Sequence, residues 1–151
     1  MGVYRSISNA SNLQIQQGLV DVQPSAMAQA CKIAPMFQGK TDKETARNVW
    51  TWLKTRVLYK PDGSVQKLRL PFALMREKTG DCKSFAIFAG SVLKCLGFEI
   101  SYKLTGGPLD DSPRHVYIIA RKNGNDYSVD ATIGAFNKEA KYSRKKMLKW
   151  R

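Results

Sequence analysis

Cys82, His115 and Asp130 are the residues of this chain whose types and order could support covalent chemistry. A thiol that attacks a carbonyl must ionise, needs a proton carrier beside it, and needs that carrier held in one orientation. Cys82 stands at the head of a helix-like stretch within TGDCKSFAIFAGSVLKCLG (79–97). A cysteine at a helix start sees the unpaired N–H groups of the first turn and the positive end of the helix dipole. Both favour a thiolate, and a neighbouring imidazolium adds to them. His115, the single histidine, opens the run RHVYIIARK (114–122), and Asp130 lies in the next run, DYSVDAT (126–132). The implied chemistry is nucleophilic acyl transfer: Cys82 attacks, His115 shuttles the proton, and Asp130 orients the imidazole and stabilises its charge.

The elements that must bring these groups together follow from periodicity. At roughly 100° per residue, Phe85, Ala86, Ala89, Val92, Leu93 and Leu96 fall in one arc with Cys82 near its middle. Lys83, Ser84, Ser91 and Lys94 fall opposite, with Ile87 the exception, so the spacing predicts a helix with one buried stripe and the thiol over that stripe. Gly97 closes it, and FEISYKL (98–104) alternates as a strand does. Asn123-Gly124 between two β-rich runs is a strong hairpin signal. A two-residue turn sets Lys122 opposite Asn125, Tyr117 opposite Asp130 and His115 opposite Thr132. His115 and Asp130 then share a sheet face as diagonal neighbours, about 7–8 Å apart at the backbone. A four-residue loop keeps the face with a larger offset, whereas a three-residue loop separates the two. The helix stripe is expected to pack on the face that bears His115.

Upstream, Thr41-Asp42-Lys43-Glu44 reads as a capping box, with the Thr41 hydroxyl on the Glu44 amide and the Glu44 side chain on the Thr41 amide. Ala46, Val49, Trp50, Leu53 and Val57 give the helix behind it one buried stripe, ending near Tyr59 before Pro61-Asp62-Gly63. Trp50 reads as core and Trp52 as the edge of a cleft. A short helix is expected over Pro71–Lys78, stopped by Gly80, and another within Pro24–Met36 before Pro35 disturbs it. The rest of residues 1–40 carries no legible pattern. Asp81, beside the thiol, helps end the preceding turn and must point away for a thiolate to form.

With 151 residues, 43% hydrophobic and 25% charged, the composition fits one soluble globular domain over 1–151, with a basic tail at 137–151. Apolar runs such as Phe85–Gly90 and Val116–Ala120 are far too short to cross a bilayer. MGVYRSISNASNLQ lacks the apolar core of a secretory signal, so the expected location is the cytoplasm or a particle packaged inside a cell, such as a virion. Its first six residues also fit the N-myristoylation pattern. Three cysteines cannot all pair within one chain, and their spacing suggests no disulfide framework, so Cys31 and Cys95 read as buried and inert. A Cys/His zinc site would need all three cysteines and His115, and no metal or other cofactor is expected. The net charge of +13, with seven Lys or Arg against one Glu after Asn137, attracts polyanions, yet no nucleic-acid-binding signature accompanies it. A solvated basic face and a working contact with an acidic polymer or nucleic acid both remain open.

GDCKSFAIFAGSVLKCLGF, then RHVYIIA, then YSVDATI, in that order, resemble the transglutaminase-like superfamily, within the papain-like cysteine peptidase fold. NVWTWLKTRVLYKPDG is similar to the helix that precedes the cysteine segment there, and the resemblance covers about 41–136. It implies an α+β fold, a Cys-bearing helix packed on an antiparallel sheet that carries His and Asp, with Cys82, His115 and Asp130 at the three catalytic positions. Where the family often has His-Ala-Trp, this chain has His115-Val116-Tyr117. By analogy with acyl-transfer sites the Cys82 amide is one oxyanion donor; no motif marks a second. The implied activity is a cysteine-dependent hydrolase or acyl transferase on amide bonds, through a thioester. A peptidase or amidase acting on a protein or peptide is expected ahead of a cross-linking enzyme. The alternative keeps the fold with an inactive triad, as a basic binding or structural module such as a phage-particle or polyanion-associated protein.

Overall fold

The computed structural model describes residues 4–8, 11–110 and 114–151, so the myristoylation pattern begins outside the described residues. In chain order the elements are β1 (Tyr4–Ser8), α1 (Asn12–Asp21), α2 (Gln23–Ile33), a 3-10 turn (Ala34–Phe37), α3 (Asp42–Arg56), β2 (Leu58–Tyr59), β3 (Val65–Arg69), α4 (Pro71–Glu77), β4 (Thr79–Gly80), α5 (Cys82–Cys95), β5 (Glu99–Gly106), β6 (His115–Lys122), β7 (Asn125–Val129) and β8 (Arg144–Lys149). The architecture is α+β. Strands β7-β6-β5-β8 form an antiparallel sheet in that order, while β1–β3 and β2–β4 form two small separate pairs.

Helix α5 lies on one face of the four-stranded sheet, and α2, α3 and α4 pack around its other sides. It is therefore buried on every side from Cys82 to Leu93, not along one stripe as the periodicity suggested. The polar residues expected to face solvent are satisfied locally. Ser84 Oγ accepts the Arg69 N–H at 3.0 Å, Ser91 Oγ donates to the Ile87 carbonyl at 2.6 Å, and Lys83 bonds Asp81. Ile87, out of place on an amphipathic wheel, is 0% exposed.

The 123–124 turn forms as a two-residue hairpin, with Lys122 paired to Asn125 and Ile118 to Val129. Asn123 (φ 52°) and Gly124 (φ 80°) are both left-handed, as that turn requires. Other boundaries moved. α3 stops at Arg56 because Val57 is extended and Leu58–Tyr59 pair in parallel with Thr79–Gly80. Half of its capping box forms: Thr41 accepts the Glu44 amide at 3.1 Å, but the Glu44 carboxylate turns to the Lys40 amide. α4 ends at Glu77 with Lys78 as its cap, left-handed at φ 57°, and Gly80 lies in β4 beyond it.

The segments least legible in the sequence supply real packing. A reciprocal Ser11–Gln14 cap starts α1. Leu19, Ala26 and Ala30, from α1 and α2, join the same apolar cluster as α5. At the far end of the chain, β8 adds an edge strand to β5, and Trp150 is buried with its ring 5.1 Å from that of Tyr102. Cys31 on α2 and Cys95 at the end of α5 form a disulfide, with Cα atoms 5.5 Å apart. The reading of both as inert buried thiols is thereby corrected: Cys31 is exposed, and the fold brings together two sulfurs that the sequence separates by 64 residues. Among the described residues no helix is long and apolar enough to cross a membrane.

Candidate active site

Cys82 is the first residue of α5, His115 the first of β6, and Asp130 follows the last residue of β7. All three therefore stand at the ends of elements. On β5 and β6 the residues turned toward α5 are Ile100, Tyr102, Leu104, Val116, Ile118 and Ala120, all buried. An added Cβ on Gly90 of α5 would lie 3.2 Å from Ile100, which fixes that face. Strand alternation gives His115 the parity of Tyr117, on the other face. The sheet face on which the helix packs is thus not the one expected to carry the imidazole. The groups meet end-on instead, where β6 begins at the mouth of α5.

His115 Nε2 lies 2.7 Å from Asp130 Oδ2, and the Cys82 thiol is near enough to the same ring to raise its pKa. With Nε2 on the carboxylate, Nδ1 is the nitrogen left for sulfur. The other Asp130 oxygen, Oδ1, accepts from the Thr132 hydroxyl at 2.7 Å and from the Thr132 amide at 3.1 Å. Trp50 Nε1 donates to the Asp130 carbonyl at 2.9 Å, which fixes the backbone of this residue to α3. The His115 ring rests against Tyr117, centroids 5.4 Å apart, and the Tyr117 hydroxyl donates to Glu139 at 2.5 Å.

Burial works to lower the basicity of His115, but the ring's hydrogen bond to Asp130, the charge of that carboxylate and the nearby Cys82 outweigh it, and its pKa is pushed up to about 10. Burial likewise works to raise Asp130; the bond and charge of His115, with two bonds from Thr132, outweigh it and hold the carboxyl below its ordinary range. Imidazolium and carboxylate are therefore the resting forms near neutral pH. Burial pushes the Tyr59 hydroxyl up, reinforced by the nearby Cys82, Asp81 and Asp130, so this phenol faces the same site.

Asp81 is the N-cap of α5, and its carboxylate is turned onto Lys83: Oδ1 accepts the Lys83 amide at 3.0 Å and Oδ2 the ammonium. Lys83 Nζ also lies 3.9 Å from Asp62. The negative charge beside the thiol is thus neutralised by the residue that follows it. Among the described residues no three His, Cys, Asp or Glu side chains cluster as metal ligands would.

Three supporting residues escaped the sequence reading. Thr132 had a signal, since a Thr two residues after an Asp favours such a turn. Tyr117 sits where the family often places an aromatic residue. Trp50 had none: periodicity put it in the core and Trp52 at a cleft, whereas Trp52 stacks on Phe88 (4.8 Å, 10°) and Trp50 reaches the site.

Comparison with known proteins bears on the fold that carries these residues. The sequence model of the transglutaminase-like superfamily matches residues 32–116. A candidate cysteine protease from Cytophaga hutchinsonii superposes with a TM-score of 0.56 at 21% identity, covering 85% of this chain and 49% of that one. A candidate protease from Parabacteroides distasonis gives 0.58 at 12% identity, over 76% of this chain and 26% of that one. A protein described as a TGase gives 0.51 at 12% identity, over 89% and 36%. The chain spans about half or less of each of these structures, and at such identities the likeness is one of fold. No curated protein matches the sequence.

Proposed function

The chain belongs to the transglutaminase-like superfamily, and on that premise we propose that it is a cysteine-dependent hydrolase or acyl transferase acting on amide bonds, with Cys82, His115 and Asp130 as its catalytic residues. The observation that carries this reading is the imidazole held by the Asp130 carboxylate at 2.7 Å and acted on by the Cys82 thiol, which stands at the first residue of a helix. A thiolate formed there would face an imidazolium and the amides of a helix start, both of which stabilise negative charge.

Cys82 Sγ attacks the amide carbonyl and forms a C–S bond. The carbonyl electrons move to an oxyanion that the main-chain N–H of Cys82 can reach. The Lys83 N–H is already taken by Asp81, so it is not the donor. His115 passes its proton to the departing amine as the C–N bond breaks, leaving a thioester. Water, or an incoming amine, then gives a proton to His115 and attacks the thioester, and thiolate and imidazolium return. Asp130, locked by Thr132 and Trp50, holds the ring orientation through both halves. Water is the default acceptor, so peptidase or amidase chemistry is favoured over cross-linking.

The test is incubation of a mixed protein extract with the native chain and with Cys82→Ser, followed by mass spectrometry. New chain ends, deamidated glutamines or isopeptides should appear with the native chain alone. Identical products from both proteins would leave a basic binding module of the same fold.

A further inference from the structure

His115 lines two cavities, and their walls differ. The smaller, about 270 Å³, is bounded by Leu19, Leu104 and Val116 with Gln66, Lys83 and Arg114. Its cations are engaged: Lys83 with Asp81 and Asp62, and Arg114 with Asp110 at 3.2 Å. The larger, about 500 Å³, is walled by Val57, Leu58, Tyr59, Phe85 and Ala131, with Lys54 and Thr132 among its polar groups. Leu58 and Tyr59 are 70% and 45% exposed, although both are large and apolar. Exposed apolar side chains gathered on a cavity that reaches a reactive imidazole mark a binding surface better than isolated ones do.

The backbone beside this cavity is also unfilled. Leu58 and Lys60 donate to Lys78 and Gly80 at 2.9 Å, so β2 spends alternate residues on β4. The N–H and C=O of Tyr59 then face the opposite edge, with which no described strand pairs. An extended chain can add there and drop alternate side chains into the pocket.

We propose that the larger cavity receives a bulky apolar side chain, Leu, Phe or Tyr, of an extended peptide that pairs with Tyr59 on β2 and carries its amide to Cys82. This rests on the proposed function and names its substrate class: peptides selected by an apolar residue near the reacting bond. The net charge of +13 favours acidic flanks. With the cations of the smaller cavity already paired, the apolar residue sets the choice.

Binding can be tested without chemistry. Fluorescent acidic peptides carrying Phe or Leu at one scanned position, or Gly there, are titrated into Cys82→Ala and followed by anisotropy. At the responsive position Phe or Leu should bind at least about tenfold tighter than Gly. Leu58→Ser, a change at an exposed side chain, should shrink that ratio to about threefold or less and leave the Gly peptide unaffected. N-methylation of the pairing peptide amide should weaken binding by about tenfold. Equal binding of Phe, Leu and Gly peptides, a preference that survives Leu58→Ser, or indifference to N-methylation overturns the proposal. If binding follows the pattern while the unsubstituted chain modifies no peptide, the chemistry fails and the subsite stands. Cleavage without any apolar preference does the reverse.

Discussion

The two ends of α5 carry the same residue type and put it to opposite uses. At the N-terminus Cys82 is free, 7% exposed, and near an imidazolium whose pKa it helps to raise. At the C-terminus Cys95 is bonded to Cys31 of α2. Each end is electrically completed in its own sense: the Asp81 carboxylate caps the first turn, and the Lys122 ammonium donates to the Leu96 carbonyl at 3.1 Å just past the last. Amides and a histidine surround one thiol, carbonyls and a second thiol the other. What a cysteine does is set by the end of the helix on which it stands and by what the topology delivers there.

The sharpest way to break that contrast is to remove each sulfur separately. Cys82→Ala should lower turnover by at least about 10⁴-fold, with a melting temperature within about 2 °C of the parent. Cys31→Ser or Cys95→Ser should do the opposite, leaving turnover per folded molecule unchanged. A crosslink over a separation of 64 residues is worth at most about 4 kcal/mol on loop entropy. Melting curves with and without reductant check the second half. Curves that coincide would mean that the bond does not form in solution, as the cytoplasmic placement expected from the sequence would require.

How much of this was legible follows from which forces are local. The helix start at Cys82 and the register set at Asn123-Gly124 are dictated by neighbours in sequence, and both formed where expected. The burial of Lys83, Ser84 and Ser91 was not legible, because it depends on α2, α3 and α4 closing around α5 from distant parts of the chain. The Cys31–Cys95 bond failed for the same reason: spacing carries no information about two helices meeting. Alternation paired His115 with Asp130 correctly, since both sit at hairpin-determined positions. It named the wrong face for the helix, because it cannot say which side of a sheet a helix chooses.

A smaller effect isolates the imidazole at the functional end. At pH 6, alkylation of Cys82 by iodoacetamide should be at least about 100-fold slower in His115→Ala, with the disulfide leaving Cys82 the free thiol. Stability carries a second signature. The His115 pKa is raised from 6.5 to about 10, so its contribution is complete below about 6.5 and is lost as pH climbs through 10. The Asp130 pKa is lowered from 3.8, so its contribution is complete above that value and is lost in acid. The melting difference between the parent and His115→Gln should therefore be widest between these limits and close toward pH 10. A difference that stays constant from pH 5 to 10 would mean that the ion pair is absent.

The smallest expected effect lies between the two ends. Gly90, midway along α5, has no room for a methyl group: an added Cβ would sit 2.7 Å from the Trp150 indole and 3.2 Å from Ile100. Alanine is the better helix former by about 1 kcal/mol, so propensity alone makes Gly90→Ala stabilising. Overpacking against a rigid ring costs about 1–3 kcal/mol, and with Trp150 3% exposed the ring has little space into which to retreat. Gly90→Ala should therefore lose about 1 kcal/mol in denaturant melts, with turnover per folded molecule unchanged. Combined with Trp150→Leu, which frees that space, the same substitution should become neutral or stabilising, a departure from additivity that only a direct contact produces. A gain from Gly90→Ala alone would mean that the end of the chain does not pack on the helix. The middle of α5 would then be governed by backbone preference rather than by what the fold lays against it.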